Sequence, residues 1–189
     1  LLDRAMEDAD LIYFSGITLA ILDAQGREVL LEALSKARAD GKTIAFDSNL
    51  RPRLWASNDE MTTTVMKAAT VSDIILPSYD DEADFFDDAD INATGSRYMK
   101  AGAKTIVIKN GAGAIHYIHE GVSHHINPPS VDEIVDTTSA GDSFNAGFFA
   151  GLDRATSIED LILSASKVAG QVIGRKGALV KLDTTKIPI

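Results

Sequence analysis

The chain predicts an α/β fold with a mostly parallel sheet covered by helices on both faces, and three observations carry that expectation. Short apolar runs alternate with longer stretches of helical periodicity. One of the runs, Ile106-Val107-Ile108, is contiguous and β-branched, as in strands buried on both faces. No internal repeat or low-complexity linker interrupts the sequence, so its 189 residues, 45% hydrophobic, are expected to form one domain spanning 1–189.

Taken in order, the first strand is "DLIYFSG", Asp10 to Gly16, stopped by Ser15-Gly16. "DAQGREVLLEALSKARADGK" places Val29, Leu30, Ala33, Leu34 and Ala37 at helical spacing, with Gly41 as its stop. "KTIAFDSN" is the next strand and ends in polar residues from Asp47 to Asn49. A helix over "DEMTTTVMKAATV" and a short strand "DIILP" follow, then helical patterns at "DDEADFF" and "NATGSRYMKAG". "KTIVIKNG" is the buried strand, and "AIHYIHEGVSHHINP" reads as a hairpin turned at Glu120-Gly121. Two helices, "GDSFNAGFFAGL" and "SIEDLILSASKVAGQVIG", close the pattern.

A formal charge of −10 argues against nucleic acid or an anionic membrane as partner. A polyanionic substrate such as a nucleotide then needs a local cluster of donors or a metal ion. Without cysteine there is neither disulfide nor thiolate chemistry, which fits a reducing compartment, and a cytoplasmic location is expected. No apolar run is long enough to span a bilayer, and Leu1-Leu2-Asp3-Arg4 does not resemble a signal peptide. There is no initiator Met, and the first residues read as the end of a helix, so a missing N-terminal part is expected.

Ligands of open α/β sheets bind outside the carboxyl ends of the strands. Three polar clusters are expected at such ends: Asp47 to Arg51, Lys109-Asn110-Gly111, and "DTTSAGDSFNAG", Asp136 to Gly147, after Ile134-Val135. In the last of these Gly141 stands where a strand should give way to a helix. Free amides at a helix start suit an anion, and glycine permits close approach. Asp142, in the first turn, is then placed to accept a proton from a hydroxyl nucleophile. The competing reading is structural: Thr137, Thr138 or Ser139 caps the helix, and Asp142 complements its dipole.

"DTTSAGDSF" resembles the C-terminal signature of the PfkB, or ribokinase-like, carbohydrate kinases in its Asp-Thr start, its Ala-Gly-Asp core and the following Phe. "DSNLRPRLW", Asp47 to Trp55, resembles the corresponding segment of the 2-keto-3-deoxygluconate kinases, as do "FSGITLAIL" and "LPSYDDEA". The resemblance implies a ribokinase-like three-layer α/β/α sandwich, with the N-terminal strands and lid missing from this chain. It also implies ATP-dependent transfer of the γ-phosphoryl group to the 6-hydroxyl of 2-keto-3-deoxygluconate, with Mg²⁺, and a homo-oligomer at full length. By position, Asp142 matches the catalytic base, and Ser139, Ala140 and Gly141, with the Asp142 amide, match the anion hole. Arg51 matches an arginine that contacts the sugar acid or the phosphates, and Asn49 a polar residue near the phosphates. Lys109, Asn110, Gly111 and Gly113 match the strand end and turn bordering the nucleotide, and Ser166 a position close to the adenine. The family's Asn-x-x-Glu motif corresponds to Ser78-Tyr79-Asp80-Asp81, which leaves Asp81 as an outer-shell group for the metal. Two alternatives stand beside this: another PfkB kinase, acting on fructose, ribose or a nucleoside, and a non-catalytic nucleotide- or sugar-binding module.

The remaining candidates have plainer explanations. "NGAGAIH" carries His116 where a dinucleotide fingerprint needs its third glycine. His116, His119, His124 and His125 alternate along a predicted hairpin and are expected as solvated strand residues, not metal ligands. "DDEADFFDDAD" lacks the glycine of a calcium loop and is expected as a solvated helix face with Phe85 and Phe86 turned inward. Trp55 is expected in the core.

Overall fold

A computed structural model describes residues 2–187. The chain forms two compact units: one runs up to Lys109 and includes His116–His124, and the other comprises Asn110–Ile115 and the chain from His125 onward. The sheet has six strands in the order in which they occur: β1 (Leu11–Ser15), β2 (Thr43–Asp47), β3 (Ile74–Ile75), β4 (Thr105–Ile108), β5 (Ile115–His119) and β6 (Val122–Ile126). The first four are parallel and β5 turns back antiparallel on β4, so the expected α/β fold with a mostly parallel sheet is what forms.

The first unit's helices are α1 (Leu2–Glu7), α2 (Gly16–Ala20), α3 (Ala24–Ala39), α4 (Asn58–Thr70), α5 (Tyr79–Phe85) and α6 (Ile91–Ala101). The three longest, α3, α4 and α6, begin where short polar side chains satisfy free amides of the first turn. Asp23 accepts from the amide of Gly26 at 2.7 Å, Ser57 from that of Glu60 at 3.1 Å, and Asp90 from that of Ala93 at 2.9 Å. Gly102, at φ 107°, ends α6 in a conformation only glycine adopts without cost. The core beneath is mainly apolar: Leu34, Ile44, Phe46, Met61, Ile75, Ile106 and Ile108 are fully buried, and the rings of Phe14 and Phe46 stack at 4.7 Å. Trp55 joins this core as expected, its indole N–H donating to the Leu50 carbonyl at 2.7 Å.

The second unit packs α7 (Ala140–Gly151) against α8 (Ile158–Ile173). The helices approach closely because Gly147 has no side chain; a Cβ there would lie 2.9 Å from the Val168 methyl and 3.0 Å from the Ala165 Cα. Among the described residues no helix is long and apolar enough to cross a membrane.

Four sequence expectations are corrected. Ile134-Val135 is not a strand: both side chains are about half exposed, and the segment is tied by its amides, with Val135 N–H donating to Ile173 O at 2.8 Å. The strand over "DIILP" shrinks to two residues because Pro77 has no N–H for a ladder; pairing resumes as a single bridge between Ser78 and Lys109. His116 is not solvated but 1% exposed, bonded through Nδ1 to Ile91 O at 3.1 Å and through Nε2 to Ser123 Oγ at 2.7 Å. The acidic run is not uniformly a solvated face, since Glu82 within it is fully buried.

Candidate functional site

The first unit gathers four charged side chains at the carboxyl ends of β2, β3 and β4. Asp47 ends β2 and is 4% exposed. One carboxylate oxygen accepts from the Asn49 amide at 3.2 Å, and the other lies 3.4 Å from the Lys109 ammonium. Past Asp47 the chain alternates: Ser48 and Leu50 are fully buried, whereas Asn49 is half-buried and Arg51 exposed. Asn49 (φ 29°) and Arg51 (φ 48°) both hold left-handed backbone conformations that side chains other than glycine rarely adopt. The bend is held by Leu50, by Trp55 on the Leu50 carbonyl, and by Gly16. A Cβ on Gly16 would come 1.9 Å from the Ser48 carbonyl oxygen, so only glycine fits beneath the bend.

Asp81 stands in the first turn of α5, half-buried, with Asp47, Arg51 and Lys109 as its charged neighbours. Burial pushes its carboxyl above the usual carboxylate range; Arg51 opposes the rise, and Asp47 adds to it. A raised value means the folded state holds this proton more tightly than the unfolded chain. Its stabilising contribution is therefore complete below the usual carboxylate range and is lost as pH rises through the folded-state value. Asp81→Asn should accordingly raise the Tm at neutral pH, by roughly 1–3 °C once solvent screening is allowed for. The gain should vanish in acid, and thermal scans from about pH 3 to 8 check this.

The neighbouring Glu82 points the other way, into the protein. Its carboxylate pairs with Arg97 at 2.7 Å and accepts the Tyr98 hydroxyl at 2.9 Å. The buried Ser48 hydroxyl lies near it without a hydrogen bond of normal geometry. Burial pushes the Glu82 carboxyl up, against the opposing charge of Arg97. Arg97 also pairs with Asp88 at 2.6 Å and lies 3.7 Å over the Phe86 ring. Glu82 and the paired role of Asp47 are what sequence reasoning missed.

The second unit holds the other candidates. The start of α7 has no side-chain cap: Ser139 occupies the N-cap without one, and Thr138 Oγ1 donates instead to Asp136 at 2.6 Å. The Ala140 amide is turned back to the Thr137 carbonyl at 3.1 Å. No backbone acceptor is found for the Gly141 and Asp142 amides among the described residues. Asp142 is exposed in the same first turn. Such a terminus presents partial positive charge to solvent and suits an anion. Asp136 braces the turn before it, accepting from the amides of Thr138 and Gly177, each at 3.0 Å. The Thr138 hydroxyl and amide bonds and the Gly177 amide hold the Asp136 carboxyl below the usual range.

The turn after Lys109 is closed by its own residues. The Gly113 amide donates to Asn110 O at 2.7 Å and the Asn110 side chain to Ala114 O at 3.3 Å, while Gly111 takes φ 53°. Ser166, on α8, donates its hydroxyl to Ile162 O at 2.8 Å. Asn49, Arg51, Asp81 and Lys109 thus belong to one unit, and Asn110, Gly111, Gly113, Ser139 to Asp142 and Ser166 to the other.

Comparison with known proteins matches the chain to one family. The pfkB family carbohydrate kinase profile matches residues 2–185. The chain is 37% identical over 177 residues to the 2-dehydro-3-deoxygluconokinase of Haemophilus influenzae and 36% identical to that of Escherichia coli K12, covering 93% and 90% of this chain. It is 30% identical to a fructokinase of Vibrio alginolyticus. Among solved structures, the aminoimidazole riboside kinase of Salmonella enterica, complexed with aminoimidazole riboside and an ATP analogue, superposes with a TM-score of 0.72 at 28% identity over 95% of this chain and 60% of that one. A PfkB protein from Polaromonas gives 0.78 at 24% identity over 94% of this chain and 57% of that one. The chain spans 56% of the length of each 2-dehydro-3-deoxygluconokinase named above. The profile match over residues 2–185 and the identity to these kinases place the chain in the pfkB family of carbohydrate kinases.

Proposed function

We propose that the protein transfers the γ-phosphoryl group of ATP to the 6-hydroxyl of 2-keto-3-deoxygluconate. The observation that carries the reading is the start of α7, where among the described residues no backbone acceptor is found for the Gly141 and Asp142 amides beside the exposed Asp142 side chain. Amides so placed stabilise charge developing on a transferring phosphoryl group without reorganising. Asp142 takes the proton from the sugar hydroxyl as its oxygen attacks phosphorus, and the γ-phosphoryl bond to ADP breaks. Arg51, turned outward by the bend, can grip the sugar acid's carboxylate with two bonds, which a point charge cannot do. Identity to two 2-dehydro-3-deoxygluconokinases supports the sugar acid over a neutral sugar.

Among the described residues no three His, Cys, Asp or Glu side chains converge on a cage. Mg²⁺ usually keeps several waters and takes one or two carboxylates together with substrate phosphates, and Asp81, its negative charge disfavoured by burial, fits such a role through water. Bound there, the ion would neutralise phosphate charge.

A coupled ADP-release assay on the full-length protein tests the reading against a panel of 2-keto-3-deoxygluconate, fructose, ribose and a nucleoside. The sugar acid should give the highest kcat/KM, and Arg51→Met should lower that value by about 10²-fold or more while costing a neutral sugar far less. Preference for a neutral sugar would reassign the acceptor. ATP binding in calorimetry without turnover on any substrate would leave only a binding module.

A further inference from the structure

We infer that Asp47 is a positioning residue with two separable tasks, one on each carboxylate oxygen: Oδ1 fixes the bend that presents Asn49 and Arg51, and Oδ2 holds the Lys109 ammonium for the nucleotide's phosphates. The inference rests on the kinase reading for what Lys109 meets, and on geometry alone for the rest.

Asp47 is 4% exposed, and the Lys109 side chain is 11% exposed, so neither charge is dispersed by free solvent. A buried carboxylate on a strand end is costly unless both oxygens are engaged. Here Oδ1 accepts from the Asn49 amide at 3.2 Å, pinning a residue whose φ is 29°. Oδ2 is 3.4 Å from Lys109 Nζ. The lysine backbone is independently fixed, its amide donating to Pro77 O at 2.9 Å and its carbonyl accepting from Tyr79 at 2.8 Å. What Asp47 acts on is therefore the end of the four-carbon stem. A lysine stem otherwise loses rotamer entropy when a ligand must order it, and a pre-placed ammonium avoids that loss.

Two substitutions separate the tasks. Asp47→Asn keeps an oxygen for the Asn49 amide but offers Lys109 an NH₂ group, donor against donor. Asp47→Ala removes both contacts. In the full-length protein, Asp47→Asn should raise the KM for ATP about tenfold, a factor set by the strength of a hydrogen bond to a charged group, with little change in the KM for the sugar acid. Lys109→Met should raise the KM for ATP at least as much, and Asp47→Asn added to it should change nothing further. Asp47→Ala should also raise the KM for the sugar acid, and should still do so in the Lys109→Met background. An equal penalty for Asp47→Asn with and without Lys109, or a lower KM for ATP in Asp47→Asn alone, overturns the lysine task. An unchanged KM for the sugar acid in Asp47→Ala overturns the bend task.

Failure of the kinase reading is told apart by urea denaturation of four of these proteins: the unsubstituted one, Asp47→Asn, Lys109→Met and the double variant of those two. If the unsubstituted protein neither binds ATP nor phosphorylates any sugar, the kinase reading falls. Non-additive midpoints for Asp47→Asn and Lys109→Met then still establish the pairing, and additive midpoints overturn it.

Discussion

Asp142→Asn is expected to lower kcat by about 10²–10⁴-fold, the range over which a positioned base contributes to proton transfer. The amide is nearly isosteric with the carboxylate, so the exposed first turn of α7 should keep its shape. What is lost is basicity alone. The KM for ATP should accordingly change little, because the substitution leaves the Gly141 and Asp142 backbone amides in place. This separates a base from a residue that merely complements the helix dipole: in the latter case kcat would stay within a few-fold. Steady-state kinetics with 2-keto-3-deoxygluconate, together with calorimetric ATP titration of the variant, reads both quantities.

The largest expected effect on stability lies at Glu82. Removing one partner of a buried ion pair typically costs about 3–5 kcal/mol, since the other partner is left without compensation. In Glu82→Ala, Arg97 keeps Asp88 at 2.6 Å, which moderates the loss, but the fully buried Tyr98 hydroxyl loses its acceptor. An unsatisfied buried hydroxyl adds about 1–3 kcal/mol. With the retained Arg97–Asp88 pair offsetting the unsatisfied hydroxyl, the expected loss stays at about 3–5 kcal/mol, and a fall in the urea midpoint at constant slope would show it. Glu82→Gln should recover part of that stability, because an amide oxygen still accepts from Tyr98. If Glu82→Ala unfolds within about 1 kcal/mol of the unsubstituted protein, the buried pair is not what anchors α5 to α6.

How far these features could be read from the sequence depends on how local their causes are. Strands β1, β2 and β4 and helices α3, α4 and α8 were legible because periodicity and caps are set within a few residues, as at Asp23, Ser57 and Ser157. The hairpin turn was legible for the same reason: Glu120 and Gly121 take φ 49° and 81°, the conformation such turns need. α2 was missed because five residues show no period. Ile134-Val135 misled because β-branched side chains indicate strand propensity but cannot say whether a partner strand is present. Glu82 was illegible in kind. Nothing in "DDEADFF" marks one glutamate of an acidic run as buried, since its partners lie fifteen and sixteen residues further on, at Arg97 and Tyr98. Arg51 and Asn49 were placed by resemblance, but the left-handed bend that turns them outward depends on Gly16, some thirty residues earlier.

The start of α7 carries a cost that the other long helices avoid. Ser157, Asp90, Ser57 and Asp23 each close a helix with a side chain, and Ser139 does not. A cap there would contribute about 0.5–2 kcal/mol, and an aspartate at position 139 would be an obvious way to gain it. In the proposed reaction, that carboxylate would also stand where the transferred phosphoryl group must sit, with the wrong sign. Selection for thermal stability and selection for turnover therefore pull this single position in opposite directions, and hardening the protein by design should begin elsewhere.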